Sequence, residues 1–445
     1  MIEIDNGEKF QFGNTLKINN RRITILSGLI SLTGLVMGFE IGTANHYFKS
    51  EEFNQQYVDL SQPLLGFIIS CFNLGSIIGC LIGAIIIWTK YDHVIKLGYV
   101  IYIIGAIINF VNQFQFTALL ILYRVILGIT NGIFLLISPI YITKLSIDKN
   151  KRGLNLSLIQ FNICVGILFG NILSYVLNVI YLQYLINVVL IIIAILSFIF
   201  LPSIINEETN LTKLKIFFQP MSLDNDNGVD NERQLNEEEI KTFVDSIIGD
   251  NKFGAFRWKK LILCVTLMIF QPLTGINIFF YYSHYLIHNE KLIIIMPILN
   301  LIGSVIILKI IQLTDRKNIL IFGSFALYFC YFVYNITPQF YLVFIIVLIF
   351  SSTWGPSSNI LMNEISNMNL LILEVSIMTN FLVNFLLITF SNNFITIEGF
   401  TGRFSLISLF ELSIVCSILF SYFLPETKDL SFEEIENIFQ CANPK

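Results

Sequence analysis

The chain has 445 residues, of which 55% are hydrophobic and only 13% charged, and its mean hydropathy is +0.73. Soluble domains carry roughly 25% charged residues, so this composition excludes a soluble globular protein and places the chain in a membrane. The formal net charge of -4 is set by the loops and points to no nucleic-acid partner.

Residues 1–22 are polar, contain Lys9, Lys17, Arg21 and Arg22, and lack the small-residue cleavage site of a secretory signal. The first span is therefore expected to remain in the mature protein. Apolar runs able to cross about 30 Å of hydrocarbon, roughly 20 residues each, follow near 23–44, 62–88, 97–114, 116–142, 155–177 and 179–201. A long hydrophilic stretch, 203–257, comes next. Within it EEEIKTFVDSII shows the Ile240, Phe243, Ile247 spacing of a short amphipathic helix. Further runs lie near 259–285, 292–313, 318–336, 339–363, 370–392 and 404–423, ahead of a tail, 425–445. The runs are continuous rather than alternating, which argues against lipid-facing strands. The expected fold is an all-α membrane protein of about twelve spans, in six-helix halves 23–202 and 258–424.

Cationic side chains resist translocation, so Lys and Arg in short loops set orientation. With a cytoplasmic N-terminus, only Lys49, Lys291 and Arg403 of the 27 Lys and Arg fall outside. Both termini are then cytoplasmic. Polar positions recur between the halves at a nearly constant offset: Asp92 with Asp315, Lys144 with Glu364, Gln160 with Asn380. An internal repeat of this kind places a substrate at the midplane between halves.

Polar groups inside a bilayer are costly unless paired or turned toward a cavity. The seventh run, FQPLTGINIFFYYS, keeps Gln271, Thr274, Asn277, Tyr281 and Tyr282. Pro272 and Gly275 lie between the two amides, and a proline kinks a helix, so a break there can turn Gln271 and Asn277 toward one cavity. The competing role for such amides is hydrogen bonding between helices. The tenth run carries Trp354, Gly355 and Pro356 with Glu364 beyond. The indole of Trp354 offers an apolar face and an N–H donor, and its alternative use is as an interfacial anchor. Asn380 and Asn384, four apart, share a face of the eleventh run. Asn300 interrupts the eighth and Gln160 the fifth. Amides and aromatics without clustered cations suit a small neutral, polyhydroxylated ligand.

Glu40 and Arg124 are ionisable positions within the first-half runs, and pairing is the cheaper arrangement for them. A carboxylate with a movable Arg partner can carry a proton, while a fixed ion pair is the structural alternative. The seven Cys form no disulfide or zinc pattern, and the four His are scattered. No nucleophile triad or phosphate loop appears, so neither an enzyme nor a cofactor is expected. The sequons at Asn155 and Asn210 fall on the cytoplasmic side, and Asn335 falls close to the bilayer.

These residues resemble the sugar porter family of the major facilitator superfamily. PETKDLSFEEIENIF, Pro425 to Phe439, is similar to its C-terminal signature, and QPLTGIN to its seventh-span motif. RVILGITNG, PIYITK and KRG resemble its fourth-span pattern, while TWGP with Glu364, and NFLVNF, resemble the tenth and eleventh spans. The flavour is that of fungal-type hexose transporters. The resemblance implies sugar contacts by Gln160, Gln271, Asn277, Asn300, Trp354 and Asn384. It further implies a cytoplasmic charge network of Asp92, Lys144, Arg152, Asp315, Arg316 and Glu364, alternating access by rocking halves, a monomer, and the plasma membrane. The substrate expected is a hexose, moved by facilitated diffusion or proton symport. A non-transporting sensor and a polyol porter are the alternatives.

The departures are specific. Pro272 stands where the family has a second Gln, Lys144 where it has Glu, and Ile95, Lys96 and Leu97 where it has Gly-Arg-Arg. The DRKN loop is shortened, and the motif after the sixth span is reduced to Pro202 and Ser203. Lys144 is expected to pair with Asp92.

Overall fold

A computed structural model describes residues 20–48, 60–87, 91–111, 116–146, 148–176, 257–283, 290–397 and 399–441, with isolated positions between. The expected sixth span, the amphipathic helix near 240, and the sequon at Asn210 lie outside the described residues.

All regular structure among the described residues is helical. The N-terminal group comprises α1 (Asn20–Tyr47), α2 (Gln62–Ile86), α3 (Tyr91–Val111), α4 (Thr117–Leu145) and α5 (Lys149–Val176). The C-terminal group comprises α6 (Trp258–Leu273), α7 (Ile276–Tyr281), α8 (Ile295–Leu313), α9 (Arg316–Ile336), α10 (Phe340–Ser352), α11 (Trp354–Ser366), α12 (Leu370–Ile397), α13 (Gly399–Ser421) and α14 (Phe432–Cys441). Ten candidate spans are long and apolar enough to cross a membrane, and His93–Asn109 is apolar but shorter. Large side chains such as Phe322, Leu412 and Phe329 point outward, as in a bundle whose surroundings are lipid.

The packing repeats. In the first group α1 lies on α5 and α2 on α4; in the second, α6 lies on α12 and α8 on α10. Between the groups α2 meets α12 and α5 meets α8. Close approach of α2 and α4 depends on small residues: a Cβ at Gly75 would collide with the Val125 carbonyl, and one at Gly128 with the Phe72 carbonyl.

Two of the expected spans are broken. The seventh divides at Gly275, whose φ of 82° is left-handed and open to glycine. A broken helix in a membrane must have its freed carbonyls answered. Here the Tyr331 hydroxyl donates to the Thr274 carbonyl at 2.5 Å, and Ser413 Oγ donates to the Leu273 carbonyl at 2.7 Å. The tenth divides at Thr353, between α10 and α11, where Thr353 Oγ1 donates back to the Ile349 carbonyl at 2.6 Å.

Candidate substrate cavity and charged gate

The break at Gly275 lies beside a cavity of about 140 Å³ between the two groups of helices. Gln160 on α5, Gln271 on α6, Asn277 on α7, Asn300 on α8 and Asn384 on α12 all line it. Among the described residues, no charged side chain lines it. The apolar part comes from residues such as Phe72, Phe280, Phe350 and Phe381, so the cavity joins apolar walls with a few directed amides, the usual makeup of a small-molecule site.

The amides on the C-terminal wall form one hydrogen-bonded row. Asn277 Nδ2 donates to Asn384 Oδ1 at 2.5 Å, Asn384 Nδ2 to Asn380 Oδ1 at 3.0 Å, and Asn380 Nδ2 to Gln271 Oε1 at 2.7 Å. Gln271 Nε2 reaches the Gly355 carbonyl at 3.3 Å. Pro272 lines the cavity too, and its ring supplies no donor there.

Trp354 is placed elsewhere. It is 0% exposed, lies off the cavity, and donates its indole N–H to Ser324 Oγ at 2.9 Å. It packs the start of α11 against α9. Four further asparagines outside the implied sugar contacts line the cavity, Asn73, Asn359, Asn363 and Asn380, the last marked in the sequence by the face it shares with Asn384. Asn359 and Asn363 are four apart on α11, a spacing that marks a shared face in the sequence. Asn73 Nδ2 is buried without a hydrogen-bond partner among the described residues.

Glu40 and Arg124 pair at 3.7 Å, with side chains 5% and 3% exposed. The Tyr102 hydroxyl donates to Glu40 Oε1 at 3.4 Å, and Arg124 Nη2 donates to the Ile69 carbonyl at 3.0 Å. The guanidinium lies 5.2 Å from the ring centre of Phe72, itself a cavity residue, so the pair stands one side chain behind the wall.

A second buried ionic cluster joins the two groups of helices. Arg152, at the start of α5, donates through Nε and Nη2 to Glu364 Oε1, each at 3.2 Å. Arg316 Nε lies 3.5 Å from Glu364 Oε2, and the Thr427 hydroxyl donates to the same oxygen at 2.5 Å. Arg152 also donates to the Leu430 carbonyl at 3.1 Å and lies over the Phe432 ring at 4.5 Å. The segment following α13 is thus bound into the same cluster. Helix α14 buries Ile435 and Phe439, and its Glu436 accepts from Arg257 at 2.7 Å and from Lys260.

Asp315 stands apart from this cluster: it precedes α9 and its carboxylate accepts from Asn318 Nδ2 at 3.0 Å. Lys144 lies over the Tyr91 ring at 4.7 Å. Asp92 is in α3, but its side chain lies outside the described residues, as does the expected pair with Lys144. Of the sequon asparagines, Asn155 is 1% exposed, and Asn335 donates to Glu411 Oε2 at 2.5 Å.

A polytopic helical bundle with a neutral cavity between two repeated helix groups, and a buried ion cluster joining them, defines a membrane transporter of the major facilitator type. The chain belongs to the sugar (and other) transporter family, whose model matches residues 26–439. Among its relatives, hexose transporter HXT14 of Saccharomyces cerevisiae is 25% identical over 98% of this chain and 93% of the relative. A D-xylose transporter of Levilactobacillus brevis is 26% identical over 91% of this chain and 93% of that one. The solved structure of the proton:xylose symporter XylE, from E. coli, bound to 6-bromo-6-deoxy-D-glucose, superposes with a TM-score of 0.75. It is 20% identical, over 94% of this chain and 99% of that chain, and shows the fold.

Proposed function

We propose that this protein carries a monosaccharide, a hexose such as glucose, across the plasma membrane by alternating access. The observation that carries this reading is the cavity lining: nine amides, among them the expected Gln160, Gln271, Asn277, Asn300 and Asn384, with no charged group among the described lining residues. Amides offer donors and acceptors together, which matches the paired demand of sugar hydroxyls, and apolar walls accept the C–H faces of a ring. The relatives named above handle hexoses and xylose, which supports the same ligand class here.

In this reading the halves are 23–202 and 258–424, linked by the cytoplasmic stretch 203–257, and both termini are cytoplasmic. The protein works as a monomer. The Arg152–Glu364–Arg316 cluster is the cytoplasmic gate, closed in this conformation, and Glu40 with Arg124 is the candidate for proton coupling.

A panel of radiolabelled sugars offered to proteoliposomes tests the assignment. Saturable uptake of a hexose, weakened in Gln271→Ala and Asn277→Ala, is the expected result. Absence of uptake for every sugar, with protein correctly inserted, would overturn it.

A further inference from the structure

The geometry points to Asn380 as a positioning residue that fixes the donor and acceptor sense of the amide row. It thereby fixes which hydroxyls of a bound sugar must donate. This inference rests on the sugar-binding reading of the cavity. An amide can be turned over, exchanging its oxygen and nitrogen, so a row of amides has two senses. Backbone carbonyls only accept, and this row is tied to two of them. Asn380 Nδ2 donates to the Met268 carbonyl at 3.0 Å as well as to Gln271 Oε1 at 2.7 Å, so both of its hydrogens are spent. Gln271 Nε2 meets the Gly355 carbonyl at the end of the row.

Turning Asn380 over would set its oxygen against the Met268 carbonyl and against Gln271 Oε1, acceptor against acceptor. The Met268 anchor therefore propagates outward. Asn380 presents its oxygen to Asn384, Asn384 presents its oxygen to Asn277, and Asn277 Oδ1 is the one side-chain oxygen in the row not taken by a neighbour in the row. A ligand hydroxyl that meets it must donate. Asn380 itself has no hydrogen left for a ligand and acts through Asn384, Asn277 and Gln271.

Two measurements on the purified full-length protein test this. In the absence of sugar, melting temperatures of Asn380→Leu, Asn277→Ala and the double variant form a cycle. A connected row gives a double variant that loses less than the sum of the singles, and additive losses would overturn the row. Competition for D-glucose binding by its deoxy and deoxyfluoro derivatives then reads the sense, because fluorine accepts but cannot donate. In the wild type, at one hydroxyl position the two derivatives bind within about twofold of each other. In Asn380→Leu they separate by about fivefold or more, while KM for glucose rises about tenfold and kcat stays within about twofold. Asn380→Ser, which retains one donor, gives an intermediate separation and carries the test if the leucine variant does not fold. An unchanged ranking of derivatives at every position would overturn the proposal. A wild type that binds no sugar would defeat the functional reading, and the melting cycle would still decide whether the row exists.

Discussion

Arg152 and Glu364 meet across the two helix groups through two hydrogen bonds of 3.2 Å, with side chains 3% and 1% exposed. The same carboxylate serves Arg316, so one anion answers two buried guanidinium groups. Removing one partner of a buried pair costs about 3–5 kcal/mol, because the remaining charge stays buried. Glu364→Gln is therefore expected to open the gate end and to reduce net sugar uptake at least tenfold. Cysteine labelling from the proposed cytoplasmic side, read at a position introduced near Gly153, would increase. Unchanged labelling would separate Glu364 from gating.

For the cavity, Gln271→Ala and Asn277→Ala each break the amide row and strand a partner. A buried unsatisfied polar group costs about 1–3 kcal/mol, which corresponds to a KM raised roughly 5- to 150-fold. Zero-trans uptake kinetics measure it. Trp354→Phe, by contrast, loses the hydrogen bond to Ser324 and part of a fully buried ring away from the cavity, and its effect is expected in thermal stability rather than in KM.

Glu40 provides the test of coupling. In proteoliposomes without an imposed gradient, addition of sugar is expected to acidify the lumen, and Glu40→Gln to abolish that acidification while leaving sugar counterflow measurable. Sugar flux without acidification in the wild type would assign facilitated diffusion instead.

The docking of α14 should depend on pH. Burial pushes the Glu436 carboxyl up, but hydrogen bonds from Lys260 and Arg257, the Lys260 charge and the Asn367 amide outweigh it, and the net shift is downward. A carboxylate lowered in the folded state contributes stability above its unfolded pKa, about 4.3 for Glu, and loses it as pH falls through the lowered value. Hydrogen exchange across 432–441 is thus expected to be pH-independent in its protection near neutrality and to lose protection only in acid. Glu436→Gln should loosen α14 at pH 7 and make little difference at the acid end. Equal effects of the substitution at both ends would contradict the assignment.

The sequence carried much of this, for reasons that differ by residue. Pro272 and Gly275 punctuate a helix whatever surrounds them, and the break falls at Gly275 as they imply. Gln271, Asn277 and Asn384 could be placed on a cavity because unpaired amides in hydrocarbon are costly. The pairing of Arg152 with Glu364 was legible only as membership of one network, since partners 212 residues apart meet through tertiary packing. Trp354 shows the limit: an indole near a helix break serves a cavity or a helix interface equally well by type, and here Ser324 takes its N–H. Asp315 enters the network only through the family resemblance, and in the structure its carboxylate accepts locally from Asn318. Asn359 and Asn363 obey the same four-residue spacing that drew attention to Asn380 and Asn384, so their signal was present but surrounded by serines with the same local polarity.

The described lining of the cavity contains no fixed charge, and this bears on how the membrane potential acts. A neutral solute entering a neutral chamber moves no current, so capture and release of the sugar are indifferent to voltage and only weakly sensitive to salt. Displacing one elementary charge through the field is worth about 2.3 kcal/mol per 100 mV, and the nearest groups able to feel that work are Glu40 and Arg124 behind the wall. In the proposed cycle, voltage dependence of flux would therefore report the protonation of Glu40 and the relocation of the ionic clusters, and clamping the potential would isolate those steps from the binding of the sugar itself.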